Sequence, residues 1–291
     1  MKSGQPIVSV DVCIISFDAI DTIEDCIQSV ALVPGASIVL REHSRSLLTL
    51  KRATQVAART NIPIRTSHDA SNPGFATGMN SLAATSTADW LYFLNPDAAV
   101  LQWPFVQKSP PAGSIIGAVQ TTSSGQAVRA WGRRYRVRDE IARSWLRRAP
   151  MPRRGKGFVG GAGLLIERDL FEQLGGFDPA FFLFYEDIDL CVRATAARAS
   201  VAVDDGLTIR HDTGTSTRKN WGATLHTSYQ SGRHFHAKHG HWVRGYDLYV
   251  MVDAAGRCAV DLVRQHSTRS KAYAALATVA ARNLVVGSKT R

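Results

Sequence analysis

Cysteine is scarce in this chain of 291 residues, and no two of the four cysteines form a C-x-x-C pair. Their wide spacing disfavours both a disulfide framework and a metal–thiolate site. We therefore expect all four to be reduced and most of them to be small core residues. They are Cys13, Cys26, Cys191 and Cys258.

Long apolar runs are also missing. The longest candidate, 272–281, is shorter than the ~20 residues that cross a bilayer, and Lys271 and Arg282 bracket it. Asp11 interrupts the apolar stretch near the first residue, which argues against a secretory signal. We therefore expect a cytoplasmic protein. The apolar fraction of 45% is ordinary for a chain that buries a core, so wholesale disorder is excluded.

Acidic side chains are outnumbered by basic ones, 24 to 35, and the excess of positive charge is concentrated in two segments. Segment 129–156 has a net charge of +9 and segment 257–291 one of +6, which leaves −4 for the remainder. Such segments attract nucleic acid, anionic lipid head groups or pyrophosphate groups, although a solvated loop and tail is the plainer explanation. No nucleic-acid-binding motif accompanies them, so we predict no nucleic-acid partner.

Strand and helix patterns alternate along the first hundred residues. Strands are predicted at 7–16, 37–40, 62–65 and 90–94, and helices at 22–32, 47–59 and 75–84. This order predicts an α/β fold with a mostly parallel, Rossmann-like sheet flanked by helices.

The rest of the chain extends the sheet and then turns helical. Further strands are predicted at 115–120, 157–167 and 208–211, with a helix at 187–197. The pattern loosens across 102–157, where prolines interrupt it. Helices follow near 223–239, 246–265 and 271–286. We therefore divide the chain into an α/β domain, 1–217, and a helical C-terminal region, 218–291.

Two loops after predicted strands carry polar residues and glycines. The first is Asn72-Pro-Gly-Phe-Ala-Thr-Gly-Met-Asn80, whose glycines would let backbone approach a phosphate or sugar. Taken alone it also fits an ordinary turn. The second ends strand 90–94 with Asn95-Pro-Asp97, at the sheet edge where α/β proteins bind ligands. Asp97 there fits a diphosphate-bound Mg²⁺ or Mn²⁺, and a turn or helix cap equally well.

Two further places offer titratable side chains. Glu186, Asp187 and Asp189 follow an aromatic run, where they fit either a helix cap or a general base beside a sugar hydroxyl. His211 ends a short strand, where a histidine is either structural or a metal ligand.

Together these segments resemble the family 2 glycosyltransferases with a GT-A fold, and most closely the bacterial rhamnosyltransferase-like branch. The resemblance rests on four motifs in the family's order, over about residues 7–217. They are Asn72-x-Gly-Phe-Ala-x-Gly-x-Asn80, Phe-Leu-Asn-Pro-Asp97, Gly175-Gly-Phe-Asp with Phe-Phe-x-x-x-Glu-Asp-x-Asp-Leu-Cys191, and His211-x-x-Gly-x-Ser216.

The resemblance implies an inverting sugar transfer from a nucleotide-diphosphate donor. It makes Asp97 and His211 the protein ligands of Mg²⁺ or Mn²⁺, with Asn95 in place of the family's first aspartate. It makes Asp187 the base that takes the acceptor's hydroxyl proton. Position alone does not separate Asp187 from Asp189, although on a helix the two would diverge by roughly 200°.

The resemblance also implies donor contacts. Ser16, Phe17 and Asp18 match the first nucleotide-contacting loop, and Gly160-Gly161-Ala162 matches backbone near the donor sugar. Where the family has an aspartate that recognises the base, this chain has Arg41-Glu42. Either Glu42 takes over that contact or the base is held differently. The predicted donor-contacting residues are Ser16, Phe17, Asp18, Glu42, Asn72, Gly74, Phe75, Gly78, Asn80, Asn95, Gly161 and Ala162, and the acceptor-side candidates are Glu186, Asp189 and Trp131.

The expected acceptor is a hydroxyl of a cell-surface polysaccharide or of a polyprenyl-pyrophosphate-linked glycan. An anionic, membrane-bound acceptor would give the basic segments a role, with peripheral contact at the inner face of the plasma membrane. The alternatives are a catalytically silent nucleotide-sugar-binding relative and a nucleotidyltransferase. The latter would need a glycine-lysine phosphate loop after the first strand, and 16–21 has neither residue.

Overall fold

The computed structural model describes residues 8–128, 131–133, 136–145, 157–212 and 221–286. They form two compact units. The described residues of the first unit are 8–128, 131–133, 157–179 and 186–212, and those of the second are 136–145, 180–185 and 221–286. The second unit thus adds two segments, 136–145 and 180–185, to the C-terminal helices that the sequence sets apart at 218–291.

A mostly parallel sheet organises the first unit. Its strands run in the order β3-β2-β1-β4-β10-β6-β11-β5, and β7 pairs with β6. Strands β10 and β5 run antiparallel to their neighbours, and the other pairs along β3-β2-β1-β4 and between β6 and β11 are parallel. A two-stranded ribbon joins β8 and β9. The strands are β1 Val10–Ser16, β2 Ala36–Glu42, β3 Ile64–His68, β4 Trp90–Leu94, β5 Ala98–Gln102, β6 Ser114–Thr121, β7 Ala127–Val128, β8 Trp131–Arg133, β9 Gly157–Val159, β10 Gly163–Glu167 and β11 Ser200–His211.

Helices follow the strands of the first unit because apolar side chains recur there at helical spacing. In the second of them Thr49, Ala53, Val56 and Ala57 are buried, and Asn61 ends it in the left-handed conformation that helix ends favour. These helices are α1 Ile23–Ser29, α2 Leu48–Thr60, α3 Phe75–Ala83, α5 Arg168–Gln173 and α6 Glu186–Ala196, and a 3₁₀ turn spans Val30–Leu32.

The core of the first unit lies around the central strands. Every residue of β1 and of β4 is buried, as expected for strands that are covered on both faces. Cys13, Cys26 and Cys191 are buried free thiols, which confirms the prediction that most cysteines are core residues.

Several elements differ from the prediction. The single strand expected at 157–167 is two strands in different sheets, with 160–162 between them: β9 pairs with β8, whereas β10 pairs with β4 and β6. β11 starts at Ser200, well before the predicted 208, and a shift in register between Asp204 and Thr208 divides it. The loosely patterned stretch 102–157 contains a helix, α4 Val137–Trp145. Strand β5 and helix α5 are not among the predicted elements.

The second unit is helical. Besides α4 it contains α7 Trp221–Lys238, α8 Val243–Val263 and α9 Ser267–Val286, around a core that includes Tyr229, Tyr246 and Tyr273. Of the helices in the described ranges, none is both long enough and apolar enough for a membrane span.

Buried hydrogen bonds also tie the second unit together. The buried carboxylate of Glu140 accepts a hydrogen bond from the Tyr185 hydroxyl at 3.0 Å, and its Oε1 lies 3.0 Å from His236 Nε2. Phe184 and Tyr185 both have positive φ, 71° and 69°, a conformation that costs roughly 1–2 kcal/mol per residue. The bond to Glu140 thus helps to hold a strained segment immediately before α6.

One buried carboxylate links the amino-terminal ends of the sheet strands. Asp11 in β1 is 3% exposed and accepts hydrogen bonds from Ser37, from Arg65 at 2.7 Å and from Ser86 at 2.6 Å. A buried charge needs such partners, because its desolvation is otherwise uncompensated.

We predict that Ser86→Ala lowers the free energy of unfolding by about 1.5–3 kcal/mol, since it removes a hydrogen bond to a buried charge. Ser71→Ala is the matched control, because its hydroxyl donates to the exposed Asp69, also at 2.6 Å. It should cost less than about 0.5 kcal/mol. Urea unfolding measures both, and equal losses would contradict the role given to Asp11.

Candidate active site

The pairing of β5 with β11 brings Asp97 and His211 together. Ala98 in β5 lies opposite His211 in β11, so the preceding residue, Asp97, reaches the histidine. Asp97 Oδ1 lies 3.3 Å from His211 Nε2, and the two side chains are 8% and 10% exposed. Two residues more than a hundred positions apart thus meet where β4 and β11 end.

A third residue orients the imidazole. His211 Nδ1 lies 3.0 Å from Oε1 of the buried Gln120, near the end of β6. When Nδ1–H donates to that oxygen, neutral Nε2 carries a lone pair. The lone pair then lies beside a carboxylate oxygen, which is favourable when a proton or a cation lies between them. No sequence motif indicated Gln120.

The Asp97–His211 pair fits a small divalent cation. Neighbouring ligands of an octahedral ion with bonds of about 2.0–2.1 Å lie about 3 Å apart, close to the observed separation. Within the described residues no cluster of three or more histidine, cysteine, aspartate or glutamate side chains forms. Two protein ligands with the remaining positions filled by diphosphate and water are typical of Mg²⁺ at nucleotide sites.

Asp187 lies in the first turn of α6 and contacts the break between β9 and β10. Its Oδ2 accepts a hydrogen bond from the Gly161 amide at 2.8 Å, and Oδ1 accepts one from the Ile188 amide at 2.8 Å. Backbone amides therefore hold both oxygens of the Asp187 carboxylate. Asp187 is half-buried, so solvent reaches it.

The other two carboxylates of this cluster are buried. Asp189 has no exposed surface and pairs with Arg193 at 2.7 Å, while Arg193 also donates to the carbonyls of Leu174 and Gly176. Asp189 is thus part of the framework, which argues against its place among the acceptor-side candidates. Glu186 is 5% exposed, and among the described residues its Oε2 has no hydrogen-bond partner. Burial, and then the charge of Asp187, hold the pKa of Glu186 well above its ordinary value.

A backbone contact joins these two groups of residues. The Asn95 amide donates to the Ala162 carbonyl at 3.3 Å, next to the point where Gly163 of β10 pairs with Leu94 of β4. The loop that holds Asp187 through Gly161 therefore lies beside the loop that carries Asn95 and Asp97.

The predicted glycine-asparagine loop has a framework role at one end. The Asn80 amide brackets the backbone of Phe177, donating to its carbonyl at 2.7 Å and accepting from its N–H at 2.8 Å. A Cβ at Gly176 would lie 2.7 Å from Asn80 Oδ1, so this position requires glycine. The bracket explains physically why Asn80 and Gly176-Phe177 occur together.

Other residues of the loop also pack against the protein. A Cβ at Gly78 would lie 2.6 Å from Cε1 of the buried His43, which no motif indicated. Burial lowers the pKa of His43. Phe75 packs edge-on against Phe177 with ring centroids 6.1 Å apart. Gly74 and Asn72 both have positive φ and shape the turn into α3.

The predicted nucleotide loop after β1 is held by Glu42. The buried carboxylate accepts hydrogen bonds from Ser16 Oγ at 2.7 Å, from the Asp18 amide at 3.1 Å and from the Ser44 amide at 2.8 Å. Burial alone would raise the pKa of Glu42, but these hydrogen bonds outweigh it and lower the pKa below its usual value. Because both oxygens are engaged, Glu42 is not free to contact a base in this conformation, whereas Phe17 is 53% exposed.

Two predicted features lie outside the described part of the chain. They are the side chain of Trp131 and residues 213–216 of the histidine motif. Asp212, just before the latter, accepts hydrogen bonds from the amide and hydroxyl of Ser123 at 2.9 and 3.0 Å.

A family model described as glycosyltransferase-like family 2 matches residues 9–227. The mannosyltransferase PcManGT from Pyrobaculum calidifontis, in complex with GDP-Man and Mn²⁺, is similar with a TM-score of 0.58 and 13% identity, over 95% of this chain and 86% of that one. GalNAc-T7 with UDP, GalNAc and Mn²⁺ is similar with a TM-score of 0.54 and 14% identity, over 70% of this chain and 44% of that one. None of the curated proteins compared with the chain matches it.

These likenesses confirm the predicted fold, an α/β architecture similar to that of GT-A glycosyltransferases. They do not extend to the rhamnosyltransferase-like branch, which stays a prediction.

The raised pKa of Glu186 predicts a dependence of stability on pH. The folded chain binds the carboxyl proton of Glu186 more tightly than the unfolded chain does. The stability that this proton contributes is therefore complete below the pKa of Glu186 in the unfolded chain. It is lost as the pH rises towards the pKa of Glu186 in the folded chain. Glu186→Gln cannot lose a proton. The free energy of unfolding of this variant should equal that of the parent at pH ~4 and increasingly exceed it towards pH ~8.

Urea unfolding across this pH range measures the difference. Glu172→Gln is the control, because that carboxylate is exposed and pairs with Arg168. It should show no gain at high pH. A stability difference for Glu186→Gln that stays constant with pH would contradict a protonated Glu186 in the folded state.

Proposed function

The chain belongs to the glycosyltransferase-like family 2, and from that premise we propose that it transfers a sugar from a nucleotide-diphosphate donor to an acceptor hydroxyl. The observation that carries the proposal is the meeting of two groups of residues around one backbone contact. Asp97 and His211 lie on one side of the Asn95–Ala162 contact, and Asp187 is hydrogen-bonded to Gly161 on the other.

Asp187 is the proposed base. Its half-exposed carboxylate takes the proton of the acceptor hydroxyl while that oxygen forms a bond to the anomeric carbon of the donor. The bond from the anomeric carbon to the diphosphate breaks in the same displacement, so the configuration inverts. The Gly161 and Ile188 amides hold both carboxylate oxygens in place for this proton transfer.

Asp97 and His211 are the proposed ligands of Mg²⁺ or Mn²⁺, with Gln120 orienting the imidazole. When bound, such an ion offsets the negative charge that develops on the departing diphosphate. Asn95 and the Gly161–Ala162 backbone lie beside this place and are the proposed contacts of the donor sugar and diphosphate.

The loop after β1 is the proposed nucleotide side of the donor site. Glu42 acts there through the loop, by holding Ser16 and the Asp18 amide, and the exposed Phe17 ring is free to stack on a base. Of the two possibilities for base recognition, this favours a base that is held differently from the family pattern. Gly78 and Asn80, which pack against protein, support the loop and do not contact the donor in this proposal.

Rhamnose or a similar hexose is the proposed sugar. The proposed acceptor is a cell-surface polysaccharide or a polyprenyl-pyrophosphate-linked glycan at the inner face of the plasma membrane. The basic excess of 257–291, partly on α9, suits such an anionic acceptor. A catalytically silent nucleotide-sugar-binding relative is the second candidate, favoured by the full engagement of the Glu42 carboxylate within the protein.

A donor panel tests transfer against silent binding. Thermal-shift and calorimetric titrations with dTDP, UDP and GDP and their sugars, each with and without Mn²⁺, should reveal a Mn²⁺-dependent response. Release of nucleoside diphosphate on adding a glycan acceptor should follow. Binding without release would favour the silent relative, and a response to UDP alone would contradict the rhamnose assignment.

Asp187→Asn should lower the transfer rate by a factor of about 10²–10⁴ while donor affinity stays within a few-fold, because only proton removal is lost. Asp189→Asn is the variant that distinguishes the two aspartates. It should lower stability by breaking the pair with Arg193 yet leave transfer per folded molecule near the parent value. The reverse pattern would move the base to Asp189.

Asp97→Asn and His211→Ala should each abolish most of the gain in nucleoside diphosphate affinity that Mn²⁺ provides, and leave affinity in EDTA unchanged. Isothermal titration calorimetry measures both quantities. The exposed His266→Ala is the control and should keep the gain. An unchanged Mn²⁺ effect in either variant would remove that residue from the metal site.

A further inference from the structure

A polar cavity lies within the second unit, away from the residues discussed above. Its volume is about 620 Å³, and three helices line it. Six of its nine lining side chains are polar, whereas ligand pockets are mostly apolar with few polar groups. The polar residues are His226, Tyr229, Gln230, Arg233, His234 and Asn283.

A buried carboxylate forms an ion pair with Arg233 in this cavity. Arg233 Nε lies 2.9 Å from Oδ1 of Asp247, which is 1% exposed, whereas the arginine side chain is 35% exposed. The Tyr229 hydroxyl donates to the same oxygen at 2.7 Å, and Asn283 Nδ2 donates to the Tyr229 hydroxyl at 3.1 Å. Asp247 therefore pairs with the Nε end of the guanidinium by charge, although the Nε–H forms no hydrogen bond within the described residues. This pairing leaves the Nη atoms for another partner.

Unused hydrogen-bonding groups surround the guanidinium. Within the described residues no side chain or carbonyl pairs with the Arg233 Nη atoms, the Gln230 amide or the His226 ring. Asn283, whose nitrogen is engaged with Tyr229, keeps its oxygen. Most of these groups are donors, and a guanidinium fork matches the oxygens of phosphate or carboxylate in bidentate fashion.

The charge of the second unit favours the same kind of ligand. Its described segments 136–145, 180–185 and 221–286 contain eleven basic and five acidic side chains. Asp247 compensates Arg233 locally, so the remaining excess gives a positive field around the cavity.

We propose that this cavity is a binding site for a phosphate-type oxyanion, recognised by Arg233 with Gln230 and His226. The site lies in one unit and does not involve Asp97, His211 or Asp187. Its occupancy can therefore be tested whether or not the transfer activity proposed above is correct.

The test uses inorganic pyrophosphate and the whole chain in EDTA, which removes divalent cations from any other site. Calorimetry compares the parent with Arg233→Gln/Asp247→Asn, which removes both charges together and leaves no buried charge unpaired. The control is Arg257→Gln/Asp253→Asn, which removes another arginine–aspartate pair of 2.6 Å outside the cavity. Both double variants keep the net charge of the chain, so any difference reports the cavity itself.

Pyrophosphate affinity should fall about tenfold or more in the Arg233 variant and stay within about twofold in the control. Equal losses in both variants, or saturable binding of a neutral saccharide in place of pyrophosphate, would overturn the proposal. Asn283→Asp covers the case in which the first variant does not fold. It places a carboxylate in the cavity and should also weaken binding about tenfold or more through like-charge repulsion.

The source of the anion is tested with farnesyl pyrophosphate, with farnesol as its uncharged counterpart. Tighter binding of farnesyl pyrophosphate than of pyrophosphate would identify a lipid-borne anion. Equal affinity for the two would identify a free anion. Farnesol binding equal to that of farnesyl pyrophosphate would contradict anion recognition.

Discussion

The antiparallel pairing of β5 with β11 is the constraint on which the candidate site depends. Its register sets Ala98 opposite His211 and thereby places the carboxylate of Asp97 against the imidazole. A shift of one residue in either strand would turn its side chains to the other face of the sheet and separate Asp97 from His211. Because β11 also pairs with β6, the same strand brings Gln120 to the far side of the ring.

Several residues that define the sequence motifs support the site without facing it. Asn80 binds the backbone of Phe177, and Gly78 makes room for His43. Glu42 holds the loop after β1 through three hydrogen bonds. Distant motifs are therefore linked by hydrogen bonds and close contacts, and these motif residues hold loops in place.

The two units use buried polar groups in a similar way. In the first, the buried pair of Asp189 and Arg193 fixes the helix that carries the half-buried carboxylate of Asp187. In the second, Asp247 forms an ion pair with Arg233 in a cavity. In both, a buried partner reduces the freedom of a charged group that reaches solvent, which is what pre-organised recognition requires.

The local sequence pattern determined the alternation of strands and helices, because buried faces require apolar residues at the spacing of a strand or a helix. It also determined that β4 ends before Asp97 and that carboxylates lie at the start of α6. It left Asp187 and Asp189 equivalent, since two carboxylates two positions apart differ only in what surrounds them. Contacts made across the fold separated them: Arg193 buries one, and the Gly161 amide holds the other at the surface. Only the tertiary structure could decide this, because burial and hydrogen bonding at a position depend on residues far away in the chain.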